Sequence, residues 1–396
     1  MGALHNLAVA ARRLASVRRA ARRAAVRTSA PADAAAWEPE AFLAAWSALL
    51  AKLPPGAVRR HALVSVPVDR PPWTDTGLAL AAGERVTLFG AGRAWLSRPL
   101  DLWVGPQFQL WARVGESGPI FNGPRAHHSF VSDRAGRLYL GSYFPGQWGD
   151  PSGRVATDLR AYRRIRGGLA AAALVWGDAG PEAGLDAVAA AGDVGGLAAA
   201  ERARLAAPVE PPEGWRPLWL LGRSEIFRAE PCDGRRAVAC RVRGDVGILQ
   251  KEAALALEPG TRLRWSWRVD ALPSELPEDT ALSHDYVSIA VEFEDGRDVT
   301  YTWSRRLPAG RSYWCPLPTW TDREHHVVVR SGTEGLGRWH DEERDLYADH
   351  AARMGPPPAR IVRVWLIAVG LFQRRPADAW FADAFLVQGE RAVRVI

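Results

Sequence analysis

Over most of its length the chain alternates apolar and polar residues in short runs, the period of strands that bury one face of a sheet. In RLRWSWRV, Leu263, Trp265, Trp267 and Val269 fall on one side and Arg262, Arg264, Ser266 and Arg268 on the other. VSIAVEFEDG repeats the pattern, with Val287, Ile289, Val291 and Phe293 inward and Asp295-Gly296 as a turn. Further strands are expected at 299–304, 325–331, 363–370 and 380–387, and earlier in HALVSVPV, ERVTLFGAG, QFQLWARVG and GRLYLGSYF. The fold class expected is mainly β, with two β-sandwich domains of jelly-roll, galactose-binding-like type, an N-terminal helical arm and a helical connector.

Four stretches read as helical. Residues 3–28 are rich in alanine, leucine and arginine, and Leu4, Leu7, Leu14 and Val17 share a stripe that most of the arginines avoid. Residues 37–52 offer Trp37, Phe42, Trp46 and Leu49 as a buried face and stop at Pro54, Pro55 and Gly56. The alanine- and glycine-rich stretch 166–207 reads as a connector, and the prolines of 208–217 mark a boundary. The organisation expected is a basic helical arm over 1–58, a sandwich over 59–165, the connector over 166–207 and a second sandwich over 208–396. The fourth helix is expected from 338 to 354, with Asp341, Glu342 and Glu343 in its first turn, Trp339, Leu346, Tyr347 and Met354 inward, and Gly355-Pro356 as its stop.

Charge narrows the function classes. Seven arginines (Arg12, Arg13, Arg18, Arg19, Arg22, Arg23, Arg27) and no acid occupy residues 1–30; the remaining 44 basic residues meet 44 acids. A neutral body with a basic tail argues against nucleic acid as a partner, because the charge should then lie on the folded domain. The basic helix could lie on an anionic membrane surface or form a frayed tail. No run approaches the roughly 20 apolar residues that cross a bilayer. The N-terminal apolar run precedes the arginines, the reverse of a signal peptide. The expectation is a soluble, cytoplasmic protein, peripheral to a membrane if the arm engages one.

Three cysteines (Cys232, Cys240, Cys315) are too few and too irregular for a disulfide framework or a zinc site, although Cys232 and Cys240 could bridge a hairpin. The dyads His127–His128 and His325–His326 would point to opposite faces of strands, so each offers one metal ligand at most. Glu292 and Glu294 share a strand face about 7 Å apart, within reach of a glycosidase pair, yet alternation alone would place polar residues there. His284-Asp285, at a strand start, is the better catalytic candidate. There is no G-x-S-x-G, no phosphate-binding loop and no dinucleotide fingerprint. Eighteen tryptophans suit core packing and stacking on sugar faces alike.

Two resemblances sharpen the picture. WTDTGLALAAGERVTLFGAGRAW, WVGPQ and GRLYLGSYFPGQWGDPSGRVATDL (136–159) resemble the galactose-binding, calcium-dependent lectin family of PA-IL type over about 100 residues. The most specific part is P-G-x-x-G-x-x-S-G, matched by Pro145, Gly146, Gly149, Ser152 and Gly153. The resemblance implies calcium as cofactor, but the ligands depart from the pattern. Tyr143 stands where the family has an aspartate, Asp150 and Pro151 replace paired asparagines, and Arg98 falls at a tyrosine ligand position. Asp150 is the one side-chain metal ligand left, against the six to eight oxygens calcium takes. HDYVSIAVEFEDG, YTWS, VVVRSG and GRWHDEERDLYADH resemble an uncharacterised bacterial family of unknown function, built as a jelly roll similar to carbohydrate-binding modules, over most of 215–390. Its W-x-x-E-x-R-x-x-x-x-D spacing falls on Trp339, Glu342, Arg344 and Asp349.

Three functions are open at this point. The first is binding of a glycan or glycosylated small molecule by tandem sandwiches, with Trp103, Trp148, Trp303 and Trp339 stacking on sugars and Asp349 nearby. The second is an enzyme acting on such a ligand through His284, Asp285, Arg330, Glu342 and Arg344. The third is an assembly protein docked through its arginine helix.

Overall fold

The computed structural model describes residues 3–24 and 37–396, with side chains of 19–24 outside that description; the side chains of Arg19, Arg22 and Arg23, and all of Arg27, therefore lie outside what is described. The chain is mainly β and divides into two units, one of residues 16–208 and 219–223, the other of 1–15, 209–218 and 224–396. The units divide near residue 208, and the described part of 1–58 is shared between them, with residues 3–15 in the C-terminal unit and the described residues from 16 to 58 in the other.

In the N-terminal unit the strands are β1 (Val58–Val66), β2 (Trp73–Leu80), β3 (Arg85–Ser97), β4 (Leu102–Val104), β5 (Leu110–Val114), β6 (Phe121–Asn122), β7 (His127–Val131), β8 (Gly136–Ser142) and β9 (Arg166–Trp176). They form a five-stranded sheet in the order β1-β9-β3-β4, with β7 also on β3, and a four-stranded sheet β2-β8-β5-β6. The helices are α1 (Ala3–Ala24, shared by both units), α2 (Pro39–Leu50), the short α3 (Pro106–Gln109), α4 (Gly180–Ala191) and α5 (Leu197–Ala206).

The expected connector is thus corrected. Its first third is β9, a central strand paired with both β1 and β3. Alanine favours helices, but Ala170 and Ala172 with Leu174 and Trp176 lie beneath Phe42, Trp46, Leu185 and Val188 of α2 and α4. Small side chains let those helices approach the sheet, and packing overrides propensity.

The C-terminal unit holds β10 (Arg216–Pro217), β11 (Phe227–Ala229), β12 (Ala237–Arg243), β13 (Val246–Ala256), β14 (Arg262–Ala271), β15 (Tyr286–Phe293), β16 (Asp298–Ser304), β17 (Ser312–Trp314), β18 (Glu324–Ser331), β19 (Trp339–Asp345), α6 (Leu346–Met354), β20 (Arg360–Val369), β21 (Pro376–Gln388) and β22 (Arg391–Arg394). A seven-stranded sheet, β10-β13-β20-β15-β16-β18-β17, faces a six-stranded one, β11-β12-β21-β14-β19, with β22 on β21. Between them lies the core. Leu263, Trp265, Trp267 and Val269 meet Val287, Ile289, Val291, Tyr301 and Trp303, as the alternation predicts. Trp265 stacks on Tyr301 at 5.4 Å and Trp267 leans on Trp303 at 5.7 Å. Each such ring contributes about 4–6 kcal/mol of burial as an upper bound.

The helix expected from 338 is also corrected. Residues 339–345 are the edge strand β19, and the helix begins at Leu346, capped by the Asp345 carboxylate on Ala348 N–H at 2.8 Å. The acids suit a strand because the partner β14 carries arginines: Glu343 takes Arg262 at 2.6 Å and Arg264 at 2.9 Å. Gly355, at φ 95°, ends the helix where expected.

Candidate functional site

The C-terminal unit carries a cleft of about 660 Å³ among residues 212–215, β11, β12, β13 and the chain beyond β22. Trp215 forms part of its wall and is itself anchored in the core. Lys251 stands 6.0 Å over that ring and donates to the Val395 carbonyl at 2.8 Å. Burial lowers the ammonium's pKa against the pull of Glu213. Arg236 and Arg394 add positive charge, Glu213 and Glu230 negative. Glu230 is engaged by Arg241 at 2.6 Å, whereas Arg236 and Glu213 make no hydrogen bond or ion pair among the described residues. The cleft thus offers uncommitted groups of both signs, while Trp215 itself is buried beneath Lys251.

The opposite face of the seven-stranded sheet holds a buried polar layer. Even-numbered residues of β15, β16 and β18 point away from the core, yet Tyr286, Ser288, Thr300, Thr302, Glu324 and His326 are all buried. The segment 273–285 closes over part of this layer: Glu278 accepts from the Ser304 hydroxyl and from Arg305 N–H, and burial pushes its carboxyl up to about 7.

Four side chains with donor atoms converge here: His284, Cys315, Glu324 and His326, within 4.8 Å of one another and all buried. His284 precedes β15, Cys315 follows β17, and Glu324 and His326 are two apart on β18 and share a face. The His284 Nδ1–H must donate to the Glu278 carbonyl at 2.7 Å, since a carbonyl can only accept. That leaves its Nε2 lone pair facing Cys315 Sγ at 3.3 Å. Burial, then His326, lowers His284 to about 3, and burial with Glu324 raises the thiol. Glu324 accepts from the Tyr286 hydroxyl at 2.7 Å; burial opposes its ionisation, but His326, His284 and the Tyr286 hydroxyl together outweigh burial and hold it low. Both ring nitrogens of His326 lack a hydrogen bond, although Nε2 lies 3.2 Å from Glu324 Oε1. Tyr313 stacks flat on the ring at 4.9 Å.

The residues singled out from sequence fall into separate places. Arg330 donates to Glu342, which also accepts from Trp267 Nε1 at 3.0 Å. Arg344 grips Asp349 at 2.9 and 2.5 Å, and Asp349 also takes the Tyr301 hydroxyl at 2.8 Å and Arg353 at 2.7 Å. These contacts tie β14, β16, β18, β19 and α6 together, which explains the W-x-x-E-x-R-x-x-x-x-D spacing structurally. His284 and Asp285 lie ahead of β15; Asp285 caps the backbone N–H groups of Phe372 and Gln373 at 2.9 and 2.5 Å, and burial raises it to about 7. No bond joins His284 or Asp285 to Arg330, Glu342 or Arg344, so the five do not form one catalytic group.

The proposed sugar platforms are corrected as well. Trp103, Trp148 and Trp303 are buried. Their ring faces meet Arg93 at 4.6 Å, Trp73 at 5.6 Å and Trp267 at 5.7 Å. Stacking on a sugar needs an open ring face. Trp339 is half-buried, with Asp233 on its Nε1 at 3.0 Å and Arg235 over its ring at 4.9 Å. Glu292 serves Arg363 and Trp365, and Glu294 accepts from Ala359 N–H. The carboxylate of Asp150 is taken by Ser152 and, at 2.9 Å, by Arg154, which with the first lowers it to about 2. Cys232, Cys240 and Cys315 are unbridged. Sequence reasoning missed the cleft residues and the convergence of His284, Cys315, Glu324 and His326. The one legible trace was E-x-H at 324–326, which on a strand puts both side chains on one face.

Residues 213–385 match a family described as a protein of unknown function (DUF3047). No curated protein matches the chain. Among solved structures, the N-terminal domain of EclA, a PllA-like lectin, is 20% identical, over 29% of this chain and 95% of its own, with a TM-score of 0.23. The carbohydrate-binding module TmCBM61, in complex with β-1,4-galactotriose, is 12% identical over 45% and 90%, at 0.23. The family 30 carbohydrate-binding module of the cellulosomal cellulase Cel9D-Cel44B of Clostridium thermocellum is 11% identical over 43% and 86%, at 0.24.

Proposed function

We propose that the C-terminal unit is a binding module for an acidic saccharide or a glycosylated small molecule, held in the cleft beside Trp215. The observation that carries this reading is the pair of uncommitted charges, Arg236 and Glu213, lining one cleft of about 660 Å³. Saccharides present hydroxyls and, when acidic, carboxylates or sulfates, and charged donors and acceptors lining one cleft complement both. Lys251 and Arg394 already donate to the Val395 and Ile396 oxygens, so Arg236 is the cation of the cleft best placed to meet a carboxylate or sulfate.

The test is glycan-array screening of the intact protein, followed by calorimetric titration of the best ligand. Arg236 is exposed, so Arg236→Ala should spare the fold and weaken binding about tenfold or more, the value of a charge-assisted hydrogen bond. Unchanged affinity in Arg236→Ala and Glu213→Gln, or no ligand on the array, would remove the cleft from consideration. Running the array in calcium and in a calcium-selective chelator separates this reading from a calcium ion at Asp150. An ion there must displace Arg154, and binding lost in the chelator would point to it rather than to the cleft.

A further inference from the structure

We infer that His284, Cys315, Glu324 and His326 form a closed binding site for one divalent transition metal, zinc(II) by its ligand chemistry. The site is separate from the cleft, and neither proposal depends on the other.

Several observations converge on it. A tetrahedral ion with bonds of about 2.0–2.3 Å separates its ligands by roughly 3.3–3.8 Å. The His284–Cys315 approach of 3.3 Å and the His326–Glu324 approach of 3.2 Å already have that spacing, and all four atoms lie within 4.8 Å. Small side-chain shifts close the rest. His284 is prepared as a ligand because the Glu278 carbonyl fixes the proton on Nδ1 and leaves Nε2 bare. His326 is fully buried, its Nδ1 has no partner and its Nε2 meets only Glu324 at 3.2 Å, an arrangement that costs free energy unless something accepts a lone pair. Tyr286 on Glu324 and Tyr313 against His326 hold the ligands in place.

The donor set selects the ion. Two imidazoles, one sulfur and one carboxylate suit zinc, whereas calcium and magnesium take oxygen alone. Four buried protein ligands leave no open position, so the role is structural. Binding expels the thiol proton to solvent and leaves thiolate on the metal. The ion would clip the 273–285 segment and the Cys315 turn to β18, pinning one end of the sheet.

The test uses the full chain expressed in zinc-supplemented and, separately, cobalt-supplemented minimal medium. Elemental analysis should find about one zinc per chain, and the cobalt form should show thiolate-to-cobalt charge transfer in the near ultraviolet. Cys315→Ser should abolish that band and lower metal content several-fold. Less than about a tenth of an equivalent of zinc, with no charge-transfer band in the cobalt form, overturns the site. So does a band that persists in Cys315→Ser. Should that variant fail to fold, zinc content and the band in the native chain decide by themselves.

Discussion

Glu201 shows how much one buried charge can weigh. It is fully buried between His127, whose Nδ1 lies 2.7 Å away, and Arg204, at 2.7 and 2.8 Å. Burial opposes ionisation, but Arg204 and His127 prevail and hold the carboxyl at about 2, below its ordinary 4.5. A lowered folded-state value stabilises above the unfolded one and is lost as pH falls toward the folded one. The gap corresponds to roughly 3 kcal/mol, present above about pH 4.5 and lost toward pH 2. Glu201→Gln should therefore cost about 2–3 kcal/mol at neutral pH, with the deficit shrinking below about pH 4.5, as urea titrations across that range would show. At this scale the sequence was read unevenly. The inward faces of β14 and β15 followed from alternation, although the polar face of β15 is covered as well, which alternation does not foretell. Trp103, Trp148 and Trp303 could not be sorted into platform or core, because a tryptophan serves both and only its neighbours decide.

Elements were misread where propensity and packing disagree. The alanines that made β9 look helical are what its contact with α2 and α4 requires, and the acids that made β19 look like a helix start are partners for Arg262 and Arg264. The metal-ligand cluster was illegible for a different reason: its members come from three separate places along the chain, and no local spacing joins them. In α1 the expected apolar stripe is reversed. Leu4 and Leu7 are 83% and 65% exposed, while Val9 and Arg13 are buried. His5 meets Asp279 at 2.8 Å, and Arg13 donates at 2.6 Å to the carbonyls of Leu282 and Phe372. The helix is seated by polar contacts and leaves two leucines outward beside exposed Arg12 and Arg18, so the membrane contact expected of it has a face to be tested. The two faces should separate experimentally. Arg13→Ala should cost about 2–3 kcal/mol and raise hydrogen exchange across 273–285. The pair Leu4→Glu and Leu7→Glu should leave stability alone and abolish sedimentation with anionic vesicles. Equal sedimentation of that pair and the parent chain would leave the outer face without a membrane role.

Two units with separate cores give the whole molecule a readable thermal signature. The C-terminal core lies between its two large sheets, and the N-terminal unit has its own beneath α2 and α4. Each unit has its own core, so each is expected to melt largely on its own interactions. Glu201 belongs to the first unit and the four metal ligands to the second. Scanning calorimetry of the full chain should therefore resolve two transitions. Glu201→Gln should lower one, and Cys315→Ser, or removal of metal by a strong chelator, should lower the other. A ligand found for the cleft beside Trp215 should raise only the transition that responds to metal, by the mass-action linkage of binding to folding. A single transition moved by every one of these changes would mean that the two units unfold as one. A ligand that instead raised the Glu201-sensitive transition would place recognition in the N-terminal unit, which holds the Asp150 loop.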